Sequence, residues 1–172
     1  MKKSTENQKI VSSQHLASES GWPLSEFEFG LIIAYNGFAR WVNHCMAAAG
    51  KADLGTLEIL ILHNITHRNR AKRLADVCFM LNIEDTHTVN YAVKKLVRQG
   101  LVSGKKTGKE IYYSSTVEGL ELCNRYREVR EKCLVEGLGL LDGDGAELSR
   151  IAATLRTLSG IYDQASRAAS SL

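Results

Sequence analysis

The stretch Asp85–Gly100, DTHTVNYAVKKLVRQG, constrains this chain more than any other. It has the pattern of a single amphipathic helix. Asp85 is placed to cap its N-terminus by accepting from a free backbone N–H, and Gly100 stands just past its end, where a left-handed residue is wanted. Val89, Val93, Leu96 and Val97 recur at helical spacing and form an inner face. The outer face carries His87, Thr88, Asn90, Tyr91, Lys94, Lys95 and Arg98, with short hydrogen-bonding side chains first and cations later. A surface helix that needed only solubility would interleave glutamates with its lysines to form i,i+4 pairs. After Asp85 this one has no acid at all. Asparagine matches the edge of adenine, small hydroxyls approach bases closely, and Lys and Arg neutralise phosphates.

The surroundings of this helix sharpen the reading. Leu54–Thr66 reads as a second helix; LEILIL would suit a buried strand, but no turn signal follows and the pattern continues through His63 and Asn64. Arg70–Leu81 reads as a short third helix with Leu74, Ala75, Cys78 and Leu81 inward. A tight connection, Asn82-Ile83-Glu84, leads into the Asp85 helix, which makes a helix-turn-helix. Residues 101–106 then read as a strand, Thr107-Gly108-Lys109 as a turn, and Glu110–Ser115 as the return strand. A hairpin tipped with lysines directly after a basic helix is a wing. The expected fold is mainly α with a small β wing: a winged helix-turn-helix flanked by N- and C-terminal dimerisation helices.

The flanking segments divide the chain. Residues 1–21 are polar and aperiodic, a mobile arm. Residues 22–50 form an N-terminal dimerisation helix, with Ser25 and Glu28 as a capping box, Leu24 and Phe29 as a staple, and a stop at Gly50. Phe27, Leu31, Ile32, Tyr35, Phe38, Trp41, Val42, Cys45 and Met46 cover so much of its surface that it needs more than one partner. Residues 51–116 are the winged domain. Residues 117–172 are C-terminal dimerisation helices: Thr116 caps a helix to about Glu136, residues 137–145 form a glycine-rich break, and Asp144 with Glu147 caps the last helix. That helix carries a stripe of Leu148, Ile151, Ala152, Leu155, Leu158, Ser159 and Tyr162. The expected dimer contacts are Phe27, Leu31, Tyr35, Leu148, Ile151, Leu155, Leu158 and Tyr162.

Charge and composition agree. The 172 residues carry a net charge of only +3, but residues 68–115 hold ten Lys/Arg against four acids, so the remainder is net acidic. A basic middle between acidic ends is the footprint of a nucleic-acid-binding core with accessory helices. Cys45, Cys78, Cys123 and Cys133 form no CxxC pair and read as buried thiols of a reducing, cytoplasmic compartment. No apolar run follows MKKSTENQK or reaches the ~18–20 residues of a membrane span, so neither signal peptide nor membrane partner is expected. His63 and His67 have metal-ligand spacing on a helix, but no cysteine pair or H-E-x-x-H accompanies them. LDGDGAEL fails the register of a calcium loop, with Leu140 and Ile151 where carboxylates belong. GKKTGKE has three residues, not four, between its glycines and lacks Ser or Thr after the lysine, so it is no phosphate loop. No Ser/His/Asp or Cys/His arrangement is evident. No enzyme activity, metal or cofactor is expected.

The residues from Leu54 to Leu122 resemble the MarR family of winged-helix transcription regulators. His87-Thr88-Val89-Asn90 running on to Leu96, then Arg98-Gln99-Gly100-Leu101-Val102, look like the family's recognition helix and its GLV exit into the wing. Ser115-Thr116-Val117-Glu118-Gly119-Leu120 resembles its LT-x-x-G start of the long helix, and Leu74-Ala75 its LA before the turn. The wing, KKTGKEIYY, departs from the family by lacking the D-x-R pair whose arginine reaches the minor groove; Lys105, Lys106 and Lys109 supply charge instead. The resemblance implies a homodimer with interlocking terminal helices, double-stranded DNA as partner at a near-palindromic operator, and a small-molecule effector of the kind family members often answer to. Base contacts are expected from Thr86, His87, Thr88, Asn90 and Tyr91, and backbone contacts from Arg70, Lys72, Lys94, Lys95, Lys105, Lys106 and Lys109. A second class stays open at this stage: a winged-helix module used mainly for protein contact, its basic face incidental.

Overall fold

The computed structural model describes residues 22–136 and 145–172. In chain order the elements are α1 (Trp22–Ala48), α2 (Thr56–Thr66), a 3-10 turn (His67–Asn69), β1 (Lys72–Arg73), α3 (Leu74–Leu81), α4 (Thr86–Arg98), β2 (Val102–Thr107), β3 (Glu110–Ser115), α5 (Val117–Arg130), a π-helical turn (Glu131–Val135) and α6 (Ala146–Ala169). The small sheet is antiparallel in the order β1-β3-β2. The fold is the mainly helical winged helix-turn-helix expected from the sequence. The chain forms two compact units, one ending at Tyr126 and one running from Arg127 onward.

In the first unit α2 is the hub, touching α1, α3, α4 and β3. That is why it is apolar all round: Ile59, Ile61, Leu62 and Ile65 are all buried. Leu54, expected inside α2, lies just before it and is buried; the helix starts at Thr56, where the Glu58 carboxylate accepts from the Gly55 N–H at 2.7 Å. The end of α4 is a Schellman closure. Gly100 is left-handed (φ +72), its N–H donates to the Val97 carbonyl and the Leu101 N–H to the Leu96 carbonyl, both at 3.0 Å, while Leu96 and Leu101 are buried together.

The start of α5 grips this closure. Thr116 donates its backbone N–H to the Leu101 carbonyl (3.1 Å) and its hydroxyl to the Gly100 carbonyl (2.6 Å), while the hydroxyl accepts from the Gly119 N–H (3.1 Å). A Cβ on Gly119 would overlap the Leu101 carbonyl oxygen. The T-x-x-G spacing thus needs a capping hydroxyl and, one turn later, no side chain at all. Further along α5, the Arg125 guanidinium donates to the Ala49 carbonyl at the end of α1 (2.9 Å) and the Cys45 thiol to the Tyr126 carbonyl (3.5 Å).

Several boundaries differ from the sequence reading. Helix α1 begins at Trp22, so Ser25 is not its cap but a buried residue of its first turn; Pro23 fits there because it has no N–H to leave unsatisfied. Helix α3 begins at Leu74, not Arg70. Arg68 and Asn69 are both left-handed (φ +61 and +46), which breaks the helical path and lets Lys72 and Arg73 pair with Tyr113 and Tyr112 as a third strand. On α3 the buried residues are Val77 and Cys78, and Ala75 is exposed. On α4 they are Val89, Ala92, Val93 and Leu96, while Val97 is 39% exposed. Cys45 and Cys78 are buried as expected and Cys133 is exposed. No helix of the described residues is long and apolar enough to cross a membrane.

In the second unit α6 exposes Leu148, Ile151, Leu155 and Ile161, with Leu158 and Tyr162 partly covered, and Glu147 pairs with Arg150 in its first turn. The expected Asp144 cap and the glycine-rich break up to that residue lie outside the described residues, as does the N-terminal arm.

Gly119→Ala should test the grip on Leu101. The gain in helix propensity is ~1 kcal/mol, whereas forcing a methyl into a backbone carbonyl costs about 3 kcal/mol. A net loss in denaturant unfolding is expected, and unchanged or raised stability would refute it. At the start of α3, Asp76 accepts from the Arg73 N–H at 2.9 Å and from its guanidinium at 3.2 and 2.8 Å, and these bonds hold its carboxyl down to about 2. An unfolded aspartate titrates near ~3.9. The folded value is the lower one, so the contribution is complete above ~4 and is lost as pH falls toward about 2. Because the pair is partly exposed its share is small. Asp76→Asn should flatten the acid limb of the thermal-unfolding midpoint and leave the neutral limb's shape unchanged.

Candidate nucleic-acid interface

Helix α4 forms where Asp85 stops the preceding turn. The Asp85 carboxylate accepts from the N–H groups of His87 (2.9 Å) and Thr88 (3.3 Å) and from the Thr88 hydroxyl. These bonds hold its pKa below the usual carboxylate range, the Thr88 hydroxyl contributing most. With Val89, Ala92, Val93 and Leu96 turned to the core, the opposite side shows His87, Tyr91, Lys94 and Arg98, spaced four, three and four apart along one line. Tyr91 is 65% exposed and the Arg98 guanidinium lies over its ring at 5.9 Å, a cation–π contact that orients both. Thr86 is exposed at the N-terminal end and Asn90, half-buried, borders the line on the side that Val97 occupies two turns later. Of the residues expected to touch bases, Thr86, His87, Asn90 and Tyr91 therefore share one surface, while Thr88 is tied into the cap.

The wing is a hairpin of two six-residue strands closed by Gly108-Lys109, with Gly108 left-handed at φ +63. Past Val102, β2 is exposed on both faces, so Lys105, Lys106 and Lys109 project into solvent. Arg68 and Arg70 are exposed in the turn after α2.

Two of the expected phosphate-binding lysines are used otherwise. Lys72 is 7% exposed, and its ammonium donates to the carbonyls of Ile65 (3.1 Å), His67 (2.9 Å) and Arg70 (3.5 Å). It closes the end of α2 and fastens the left-handed turn that follows; burial pushes its pKa down. Lys95 reaches back to the α1–α2 loop, donating to the Asp53 carbonyl at 2.9 Å and pairing with Glu58 at 3.3 Å. Beside it Gln99 Nε2 donates to the Asp53 carboxylate at 2.6 Å. These contacts anchor the C-terminal half of α4. Arg98, read in the sequence only as one of several surface cations, takes the place that Lys95 was expected to hold on the outer face.

His63, one half of the metal-spaced pair, packs edge-on against the Tyr126 ring with centroids 4.4 Å apart, and burial lowers its pKa; His67 is exposed in the next turn. Among the described residues no three His, Cys, Asp or Glu side chains come together to hold a metal ion.

Residues 54–119 match the family model of the winged helix DNA-binding domain. The larger fold is similar to that of solved MarR regulators. The chain is similar to NMB1585, a MarR family regulator from Neisseria meningitidis, at 16% identity over 83% of this chain and 95% of that one, with a TM-score of 0.65. It is similar to a mutant MarR from E. coli complexed with operator DNA, at 14% identity over 82% and 99% of the two chains and the same TM-score, 0.65. It is also similar to NadR in complex with 4-hydroxyphenylacetate, at 16% identity over 77% and 92%, with a TM-score of 0.60. No curated protein sequence matches the chain.

The division of labour between adjacent lysines has a direct check. Lys95→Ala removes a partly buried ion pair and a carbonyl bond, so it should lower unfolding free energy by about 1–2 kcal/mol. Lys94→Ala, on the exposed face, should change it by less than ~0.5 kcal/mol. Equal losses in urea titrations would contradict the assignment.

Proposed function

We propose that the chain is a sequence-specific regulator of transcription that binds double-stranded DNA as a MarR-type homodimer at a near-palindromic operator. The observation that carries this reading is the outer line of α4, His87-Tyr91-Lys94-Arg98, which has hydrogen-bonding groups at one end, cations at the other and no acid between them. Such a face suits a helix laid in the major groove with its N-terminal residues on base edges. Thr86, His87, Asn90 and Tyr91 read bases; Lys94, Arg98, Arg70, Lys106 and Lys109 hold phosphates. Operator DNA on the similar E. coli protein supports the reading.

The dimer rests on uncovered apolar surface. Helix α1 exposes Leu31, Ile32, Ile33, Tyr35 and Phe38, with Phe27 half-covered, and α6 exposes Leu148, Ile151 and Leu155. Patches of this kind on terminal helices mark protein interfaces. Residues 22–50 and 117–172 then act as dimerisation helices around a 51–116 DNA-binding domain. Pairing places two α4 helices about one duplex turn apart and makes the operator mirror the protein's two-fold symmetry. A small aromatic acid is the natural effector class to screen first, given 4-hydroxyphenylacetate on the similar NadR.

Two measurements test this. Neutralising about six to ten phosphates per dimer should make log K fall with log salt at a slope of roughly −5 to −9. A slope near zero would favour a module that contacts protein and not DNA. Sedimentation of the intact chain at micromolar concentration should give a dimer, and Ile32→Glu combined with Leu155→Glu should give a monomer; a wild-type monomer would overturn the homodimer.

A further inference from the structure

The loop between α1 and α2, residues 49–55, is fastened from three sides. At its start Gly50 is left-handed (φ +98) and the Lys51 N–H donates back to the Met46 carbonyl (3.0 Å), while Arg125 of α5 holds the Ala49 carbonyl (2.9 Å). At its end the Thr56 hydroxyl donates to Asn43 Oδ1 of α1 (3.0 Å), and Glu58 divides its carboxylate between the Gly55 N–H (2.7 Å) and Lys95 of α4 (3.3 Å). In its middle Asp53 accepts two bonds from α4: Lys95 Nζ donates to its backbone carbonyl (2.9 Å) and Gln99 Nε2 to its carboxylate (2.6 Å). Gln99 Oε1 is buried and has no hydrogen-bond partner among the described residues. A glutamine on an open surface hydrates both ends of its amide; this one gives up one acceptor to stay on Asp53.

We propose that this network sets the tilt of α4 against α1 and thereby fixes the half-site spacing that the dimer accepts, with Asp53, Lys95 and Gln99 as positioning residues. The inference rests on the homodimeric DNA-binding reading above and adds to it a determinant of operator geometry that touches no DNA. Val89, Ala92, Val93 and Leu96 hold α4 on the core, but apolar contact is non-directional and leaves the tilt of a helix poorly fixed. Hydrogen bonds weaken steeply away from linearity, and here they act at the C-terminal end of α4. Thr86, at the other end, lies roughly 20 Å away at ~1.5 Å rise per residue. Over that length a tilt of about 10° moves Thr86 by roughly 3.5 Å, close to the rise of one base pair, about 3.4 Å. In a dimer paired through α1 the displacement occurs in both protomers. It changes the distance between the two N-terminal ends of α4, which the spacing of the half-sites must match.

The test uses the full chain and the duplex that the wild type selects from a random library, followed by fluorescence anisotropy. Companion duplexes have the central spacing lengthened or shortened by one base pair, or carry one half-site only. The wild type should prefer the selected spacing on the order of tenfold over either altered one. Asp53→Ala combined with Lys95→Ala leaves the net charge unchanged and cuts both ties between α4 and the loop. It should reduce the preference to about two- to threefold, with half-site affinity within about twofold of the wild type. Asp53→Asn, whose amide oxygen still accepts from Gln99, should keep the full preference. Gln99→Ala loses one tie and no charge; it should give an intermediate loss and carries the test if the double variant does not fold. Folded variants that keep the wild-type spacing preference, or a half-site affinity that falls as far as that for the full site, would overturn the positioning role. A wild type that selects no two-fold motif, or sediments as a monomer, would instead overturn the dimeric DNA-binding reading on which it rests.

Discussion

The carbonyls of Gly100 and Leu101 are the point on which the geometry of the winged domain depends. They end the Schellman closure of α4 and accept the hydroxyl and the N–H of Thr116, and Gly119 packs without a side chain against Leu101. Three elements meet there: helix α4, the wing that leaves at Val102 and the long helix α5. Fixing them through backbone atoms leaves little angular freedom between helix and wing. For the proposed contact of α4 and the wing with one duplex, that rigidity supplies preorganisation that ordering on binding would otherwise cost.

Charge is divided between structure and surface. Lys72, Lys95, Arg73 and Arg125 are bonded inside the first unit, to helix-end carbonyls or to carboxylates. Lys94, Arg98, Lys105, Lys106 and Lys109 are exposed, and all lie on α4 or the wing. Counting basic residues between 68 and 115 overstates what is available to phosphate. Their arrangement gives the outer face of α4 and its neighbouring wing a mainly positive charge, against Glu110 on the wing, and a field of that sign attracts polyanions.

Much of this was legible in the sequence, for local reasons. Asp85 and Gly100 announce α4 because capping and left-handed closure act within a few residues, and the wing follows from strand alternation around Thr107-Gly108-Lys109. What escaped depends on tertiary partners. Nothing local shows that Lys72 would turn inward, since its acceptors are the carbonyls of a turn made by the left-handed Arg68 and Asn69. The same turn cut short the expected Arg70–Leu81 helix and added the strand β1. Lys95 and Arg98 are alike on a helical wheel, and only the position of Asp53 and Glu58 beside α4 separates them. Ser25 followed by Glu28 looked like a capping box, yet Pro23 also suits a first turn, and the helix begins upstream at Trp22.

In the proposed function the N-terminal half of α4 selects sequence while its surroundings hold backbone. Selection of bound duplexes from a random library, with the wild type and with Asn90→Ala in parallel, tests it most directly. The wild type should recover a two-fold-symmetric motif. Asn90→Ala should abolish the preference at one position in each half-site, corresponding to ~1–3 kcal/mol of discrimination. Identical motifs from the two proteins, or no motif from either, would contradict it.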